Sequence, residues 1–244
     1  MSGEPTVVLV HGAFADASSW NGVITRLQVD DVPVTAPANP LRGIAIDSAY
    51  MASVFEQIEG PIVAVGHSYG GAVITNAATD AKNVVALVYV AAFAPDEAET
   101  LGAVSADSKD SVLNSALVVR KYPTANGGTA TEFSIDPPKT RDAFAGDLSE
   151  EQAAVIAATQ RPISELAFSE PSGPPAWKSR PSWAVVATGD RAAGTDVTRS
   201  MAERAGAKIT EVEGSHVIMV SQPEAVTAVI LQAVEAAAHV AVEA

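Results

Sequence analysis

Residues 66–71 read Gly-His-Ser-Tyr-Gly-Gly and follow directly on the apolar run PIVAV. A Gly-x-Ser-x-Gly pattern between a buried strand and a helix is typical of a strained turn that raises the serine above a sheet. Glycine suits both flanking positions because a side chain there would clash, and the following helix directs its partly positive N-terminus at the hydroxyl. We therefore predict Ser68 as a nucleophile; the alternative is a glycine-rich turn in which this serine only caps the helix.

A serine hydroxyl needs a neighbouring base before it can act as a nucleophile. The chain has four histidines. His67 adjoins the serine and should point away from it, His239 lies in the last predicted helix, and His11 follows the first predicted strand. His216 follows the last predicted strand, which places it at the same end of the sheet as Ser68. We predict His216 as the base, with a loop histidine bonded to backbone as the alternative.

The base needs a carboxylate that fixes its tautomer and stabilises the imidazolium. Asp190 ends the run SWAVVATGD and should therefore lie at the same edge of the sheet. The resulting chain order of serine, aspartate and histidine is typical of a nucleophile in this kind of turn. Asp96, which also follows a predicted strand, and Asp196, shortly beyond Asp190, are the alternatives.

Acyl transfer through such a serine also needs N–H donors for the oxyanion of its transition state. One donor should be the backbone N–H of Tyr69, the residue after the nucleophile. The other should come from the loop HGAFADASSW, with Ala13 as the first choice and Phe14 next. The small residues Gly12 and Ala13 would let a substrate approach this backbone closely.

The elements that must position these residues alternate between short apolar runs rich in valine and longer helical stretches. Continuous rather than alternating apolar runs indicate strands covered on both faces, so the order predicts βαβ crossovers and a doubly wound, mainly parallel sheet of about six strands. The predicted strands are 6–10, 33–37, 61–67, 84–92, 182–190 and 208–214, and the predicted helices are 18–28, 46–58, 70–80, 196–206 and 223–240.

One long interval, from about residue 96 to 180, interrupts this alternation. It has no strong strand pattern, one helical stretch at 148–160 and a proline-rich end. An insertion of this length between two core strands favours a cap over the site, with an extra helical layer as the alternative. We predict a core of residues 1–96 and 181–244 and a cap of residues 97–180. The predicted pocket-facing side chains of the cap are Leu117, Val118, Tyr122, Phe133, Phe144, Ile156, Phe168 and Trp177.

Composition narrows the class of protein. The 244 residues carry a formal charge of −14, which disfavours nucleic acid and anionic membranes as partners. The chain has no cysteine, which excludes disulfides and thiol catalysis. The N-terminus has no signal-peptide pattern, and no apolar run approaches the ~20 residues of a membrane span. We expect a cytoplasmic protein with a small-molecule substrate, and leave open whether it is a homodimer.

Five stretches of the chain resemble the α/β-hydrolase superfamily: VVLVHGAFADASSW, GHSYGGAVI, YVAAFAPD, TQRPIS and EVEGSHVIMVSQPEAV. They are most similar to small serine esterases of the plant methylesterase and hydroxynitrile lyase group and their bacterial relatives. The resemblance implies an α/β-hydrolase fold, a nucleophile, acid and base at Ser68, Asp190 and His216, and oxyanion donors at Ala13 and Tyr69. It also implies hydrolysis of small carboxylic esters with no metal and no organic cofactor.

The chain departs from the hydroxynitrile lyases of this group at two positions. Those enzymes typically have threonine where this chain has Gly12 and lysine where it has Val217, so ester hydrolysis is favoured over cyanohydrin cleavage. After the acid, relatives often have isoleucine and proline, whereas this chain reads DRAAGTD. Lactone opening, C–C or cyanohydrin cleavage and cofactor-free perhydrolysis remain alternatives within the same triad chemistry. A ligand receptor on this fold is a further alternative, since a fold does not imply an activity.

Overall fold

The computed structural model describes residues 3–242, and the side chains of residues 239–242, His239 among them, lie outside the described part. Its centre is a six-stranded sheet in which every neighbouring pair is parallel. The strands are β1 (Thr6–Val10), β2 (Val34–Thr35), β3 (Ile62–His67), β4 (Val84–Val90), β8 (Ser182–Ala187) and β9 (Lys208–Val212), in the spatial order β2-β1-β3-β4-β8-β9. The predicted doubly wound parallel sheet is thereby confirmed.

The four inner strands form the core of the molecule. Every residue of β3 and β8 is buried, as is nearly every residue of β1 and β4. Burial on both faces is the reason why these strands are continuously rather than alternately apolar. β2 is much shorter than the predicted 33–37 and pairs with β1 only at Val34 and Thr35.

Helices cover both faces of this sheet. The helices are α1 (Asn21–Val29), α2 (Ile44–Glu56), α3 (Tyr69–Ala77), α4 (Leu101–Ala106), α5 (Thr140–Phe144), α6 (Glu150–Thr159), α7 (Leu166–Ser169), α8 (Thr195–Arg204), α9 (Ile218–Ser221) and α10 (Pro223–Val242). α10 packs on β4 and β8 with α1 beside it, and α3 packs on β1, β3 and β4 with α2 beside it. Within the described residues, none of these helices is long and apolar enough to cross a bilayer.

Residues 97–180 contain a second sheet, which contradicts the prediction that this interval has no strong strand. Its antiparallel strands are β5 (Leu117–Pro123), β6 (Thr129–Ile135) and β7 (Ile163–Ser164), in that order. Every residue of β5 is half-buried or exposed, Arg120 and Lys121 among the exposed ones, so the strand lacks the apolar pattern of the core. The predicted helix at 148–160 is α6, which begins at a capping box formed by Ser149 and Gln152.

The inserted segment is held against the sheet through the loop that precedes α2. Arg42 forms an ion pair with Glu132 of β6 at 2.9 Å, and its guanidinium lies 4.5 Å from the ring centre of Tyr122 in β5. The backbone N–H of Ser164 in β7 donates to the carbonyl of Leu41. The division of the chain into a core and a cap at 97–180 stays a prediction.

Candidate active site

Ser68 occupies the turn between β3 and α3. Its backbone angles are φ 53° and ψ −122°, a combination that is costly for a residue with a side chain and is found mainly at functional sites. Three backbone hydrogen bonds hold this turn. The N–H of Ser68 donates to the carbonyl oxygen of Val90, and the carbonyl oxygen of Ser68 accepts from the N–H groups of Gly71 and Phe93. The strain is therefore fixed by the surrounding backbone.

The two glycines of the motif are required by close backbone contacts. A Cβ atom at Gly66 would lie 2.5 Å from the carbonyl oxygen of Gly70, and one at Gly70 would collide with the carbonyl oxygen of Val10. The first turn of α3 therefore packs directly on the ends of β1 and β3. This packing explains why both Gly66 and Gly70, two residues before and two residues after Ser68, are glycine.

His216 and Asp190 lie together at the carboxyl edge of the sheet. Nδ1 of His216 donates to Oδ2 of Asp190 at 2.8 Å, and both side chains are almost completely buried. Oδ1 of Asp190 accepts from the backbone N–H groups of Ala192 and Ala193, at 2.9 and 3.0 Å. The loop DRAAGTD therefore directs two backbone N–H groups at this carboxylate.

The two alternative acids lie elsewhere. Asp96 is partly exposed and pairs with Lys178 at 2.5 Å. Asp196 accepts from the hydroxyl of Ser108 and from the N–H of Lys109, at the start of α8. Neither carboxylate is bonded to His216.

Ser68 and His216 line the same cavity, which has a volume of about 180 Å³ and mostly apolar walls. Within residues 3–242 the hydroxyl of Ser68 makes no hydrogen bond to the ring of His216. Such bonds are often long without substrate and tighten when it binds. No group of three or more His, Asp or Glu side chains in the described part of the chain is arranged to hold a metal ion.

The backbone N–H groups of Ala13 and Tyr69 are available at the same cavity. Both residues line it, and neither N–H donates to another backbone group in the part of the chain that the structure describes. Tyr69 is the first residue of α3, so its N–H has no partner within the helix. Phe14, the second choice of donor, adopts a left-handed backbone with φ 58°.

The side chain of Tyr69 is bonded to a buried carboxylate. Its hydroxyl donates to Oδ2 of Asp47 at 2.7 Å. Burial raises the pKa of Asp47, while N–H groups of Arg42 and Gly43 bonded to the carboxylate oppose that rise. Burial and the charge of Asp47 raise the pKa of Tyr69 well above its usual value. No local sequence pattern indicates this pair.

His67, set aside as a base in the sequence analysis, supports the loop that carries His216. Its Nε2 donates to the carbonyl oxygen of His216 at 3.0 Å, and the two rings are 4.7 Å apart. Burial lowers the pKa of His67 well below its usual value, so the ring is neutral. The sequence predicted that this histidine points away from Ser68, but it gave no indication of what the ring contacts.

His11 holds the loop that carries Ala13. Its Nε2 accepts from the N–H of Asn39, so its proton lies on Nδ1, which donates to the carbonyl of Gly12. Burial lowers the pKa of His11 to about 4. A Cβ atom at Gly12 would lie 2.7 Å from Cβ of Ser68. Gly12 therefore has no room for a side chain, such as the threonine that hydroxynitrile lyases of this group typically have at this position.

The predicted pocket-facing residues of 97–180 fall into three groups. Four of the eight line the cavity with Ser68, namely Leu117, Phe133, Phe144 and Phe168. Ile156 lines a neighbouring cavity instead. Val118, Tyr122 and Trp177 line neither; Trp177, for example, donates its indole N–H to the carbonyl of Pro95.

Solved structures with this fold extend over almost the whole chain. Polyneuridine aldehyde esterase is 21% identical, with a TM-score of 0.78 over 94% of this chain and 99% of its own. Tomato methylketone synthase I, complexed with 2-tridecanone, is 19% identical, with a TM-score of 0.77 over 96% and 99%. An extracellular α/β-hydrolase from a Paenibacillus species, described as structurally and functionally homologous to tobacco salicylic acid binding protein 2, is 19% identical, with a TM-score of 0.75 over 94% and 98%. At these identities the likeness establishes the fold.

A search of the curated proteins finds no match to this chain. A family profile, described as the alpha/beta hydrolase family, matches residues 7–229. That range includes the serine turn, the Asp190–His216 pair and the whole inserted segment. The chain therefore belongs to the alpha/beta hydrolase family, and its relatives in structure include members of the plant methylesterase group, as its motifs indicated.

Proposed function

We propose that the protein is a carboxylic ester hydrolase that works through an acyl-enzyme on Ser68, with His216 as base and Asp190 as its orienting acid. The observation that carries this proposal is the arrangement at the cavity. A serine in a strained turn and a histidine bonded to a buried aspartate line it together. Further support comes from the esterases and hydrolases among proteins of similar structure.

In the first half of the reaction Ser68 Oγ attacks the carbonyl carbon of the ester, and His216 Nε2 takes the hydroxyl proton. The carbonyl oxygen becomes an oxyanion and accepts from the N–H groups of Ala13 and Tyr69. The imidazolium of His216 then donates its proton to the leaving alkoxide. The C–O bond to the alcohol breaks, and the acyl group remains on Ser68.

In the second half water replaces the alcohol. His216 takes a proton from that water, whose oxygen attacks the acyl carbon, and the same N–H groups hold the second oxyanion. Collapse breaks the bond to Ser68 Oγ, which regains its proton from His216. One ester and one water thus give one acid and one alcohol, and the protein returns to its initial state.

The cavity limits the class of ester. An engineered apolar cavity of about 150 Å³ is large enough to bind benzene, and this cavity measures about 180 Å³. It is therefore suited to an acyl group of roughly that size. Its aromatic and aliphatic walls favour apolar acyl groups, because they offer few partners for charged ones.

The test compares wild type with Ser68→Ala on a panel of p-nitrophenyl esters of increasing acyl length, with lactones and mandelonitrile alongside. We expect ester hydrolysis by wild type and a loss of roughly 10³- to 10⁶-fold in kcat for the variant, since triad members act as a unit. Circular dichroism and thermal unfolding of both proteins check that the variant is folded.

Two results would contradict the proposal. One is a folded Ser68→Ala variant that retains more than about a tenth of the wild-type kcat on an ester, because the residual activity expected without the nucleophile is far lower. The other is a wild type that turns over only lactones or mandelonitrile. Either result would separate the reaction from simple ester hydrolysis through this serine.

A further inference from the structure

A second cavity of about 130 Å³ lies behind the wall of the first. It is formed by the loop after β1, by α6 and by the residues that follow His216. Its lining combines the apolar Phe14, Phe144, Ile156, Val217 and Val220 with the polar Asp16, Ser18, Ser19 and Thr159. Val155, also in its lining, is 62% exposed, so the cavity opens to solvent along α6. The catalytic steps described above do not use it.

The partition between the two cavities is a pair of phenylalanines. Phe14 and Phe144 line both cavities, and their rings meet edge to face with centroids 6.1 Å apart. Both side chains are buried. Phe144 also packs on His216, with ring centroids 5.0 Å apart, so the partition stands directly beside the base.

The position of this partition matches the direction in which an alcohol must leave. His216 has to give its proton to the alkoxide oxygen, so that oxygen lies at the ring of His216. In the proposed reaction the acyl group lies in the first cavity, beside Ser68. The remainder of the alcohol therefore extends past His216, and the second cavity begins there, at Val217 and Phe144.

We propose that the second cavity is a subsite for the apolar alcohol portion of the ester, and that the Phe14–Phe144 pair is the partition between it and the acyl cavity. The inference rests on the proposed ester hydrolysis and assigns its substrates. They are esters with an apolar group on both sides of the ester bond. Small alcohols end at the partition, whereas a benzyl-sized alcohol displaces the Phe144 ring and enters the second cavity.

The kinetic test uses one acyl group, acetate, with methyl, ethyl, butyl and benzyl alcohols. Ile156→Trp fills the second cavity and should lower kcat/KM for benzyl acetate about tenfold relative to methyl acetate, as the alcohol loses its apolar contacts. The matched control is Ala154→Trp, on an exposed position of the same helix. It should leave the ratio of the two rates at the wild-type value.

A second pair of variants separates the two cavities. Phe144→Ala removes the partition and should raise the ratio for benzyl over methyl acetate severalfold, whatever it does to the absolute rate. Phe168→Ala enlarges only the first cavity, where Phe168 pairs edge to face with Phe133. It should change the acyl preference and leave the alcohol preference as in wild type.

A binding measurement needs no turnover. In an NMR titration, benzyl alcohol should shift the amide signals of Ser19, Val217 and Val220 in wild type and in Ala154→Trp, but not in Ile156→Trp. Shifts confined to the first cavity, or an unchanged benzyl-to-methyl ratio in both Ile156→Trp and Phe144→Ala, would overturn the inference while leaving ester hydrolysis intact. Absence of any Ser68-dependent hydrolysis together with the expected shifts would overturn the proposed function and leave an alcohol-binding cavity.

Discussion

Two regions meet at the cavity, and they are held in different ways. The loops at the carboxyl edge of the sheet are fixed by buried polar contacts. The carboxylate of Asp190 accepts hydrogen bonds from two backbone N–H groups and from the ring of His216, and His67 donates to the His216 carbonyl. The part of segment 97–180 that faces the cavity contributes five large apolar side chains, Leu113, Leu117, Phe133, Phe144 and Phe168, together with Gly102, Ser105, Ser111 and Asn114. The contacts of the five large apolar side chains there are non-directional.

This contrast predicts which region controls the chemical steps and which controls substrate choice. The protein loses much stability when a buried polar group is left without its hydrogen-bond partner, so the edge of the sheet tolerates few changes. Apolar walls tolerate changes in shape that keep their hydrophobic character. Chemistry should therefore depend on the edge of the sheet, and substrate choice on the inserted segment. Each prediction below would break or sharpen this comparison.

The largest effect is expected at Asp190. Asp190→Asn keeps the shape of the side chain but favours the wrong tautomer of His216, which can cost about 10⁴ in kcat. Asp96→Asn is the matched control, because that carboxylate is bonded to Lys178 near the surface. Steady-state kinetics on one p-nitrophenyl ester should rank the two variants in this order, and the reverse ranking would make Asp96 the acid.

A smaller but still large effect is expected at Gly12. The new Cβ of Gly12→Ala would lie 2.7 Å from Cβ of Ser68 and 2.8 Å from the carbonyl oxygen of His67, so the serine turn must shift. Misplacement of a reacting group by about 1 Å can cost about 10² in rate. Gly146→Ala is the control, since its nearest contact would be an ordinary 3.7 Å. Equal kcat values for the two variants would show that the edge of the sheet is more adaptable than its hydrogen bonds suggest.

The sequence was most informative at the strand ends. Parallel strands bring their carboxyl ends to one edge, so a motif after β3 and single residues after β8 and β9 were enough to bring Ser68, Asp190 and His216 near one another. The bonds from His67 to the His216 carbonyl and from Tyr69 to Asp47 join residues far apart in the chain. They depend on packing that no local pattern records. The strand β5 was missed because much of it is exposed, so its apolar pattern is weak.

Acid should weaken the edge of the sheet through His11. Burial lowers the pKa of this ring from 6.5 to about 4, so between these values the unfolded chain binds a proton that the folded chain does not. Stability is therefore present above about pH 6.5 and is lost as the pH falls towards 4, by about 3 kcal/mol over the whole window. Urea unfolding at several pH values in this window measures the loss.

The variant His11→Gln assigns this pH dependence. Its amide can still accept from the N–H of Asn39 but does not titrate, so the slope of unfolding free energy with pH should become shallower. Part of the slope should remain, because burial also lowers the pKa of His67. An unchanged slope in a folded variant would mean that His11 titrates normally and that this loop is open to water.

The inserted segment should set the acyl preference by small steps. Each methylene buried in the first cavity contributes about 0.8 kcal/mol, or nearly fourfold in kcat/KM, until the cavity is full. Activity on p-nitrophenyl esters should rise with acyl length, peak and fall. Leu117→Ala should move the peak to a longer chain, whereas Val118→Ala, which does not line the cavity, should not. A flat profile would remove the segment from its role in substrate choice.

The smallest effect should come from the charge of the whole chain, which acts on both regions alike. A formal charge of −14 repels anionic esters at long range, so neutral esters of similar size should have the higher kcat/KM. Salt should narrow this gap, because the Debye length falls from about 30 Å at 0.01 M to about 10 Å at 0.1 M ionic strength.

A preference for anionic esters that does not change with salt would instead indicate a local cation, and Arg161 is the first to test. Burial is the main cause of the lowered pKa of His11, and the charge of Arg161 adds to it. Arg161→Gln should then abolish the preference. The same result with Lys178→Gln, at the surface beside Asp96, would place the source of the preference outside the cavity.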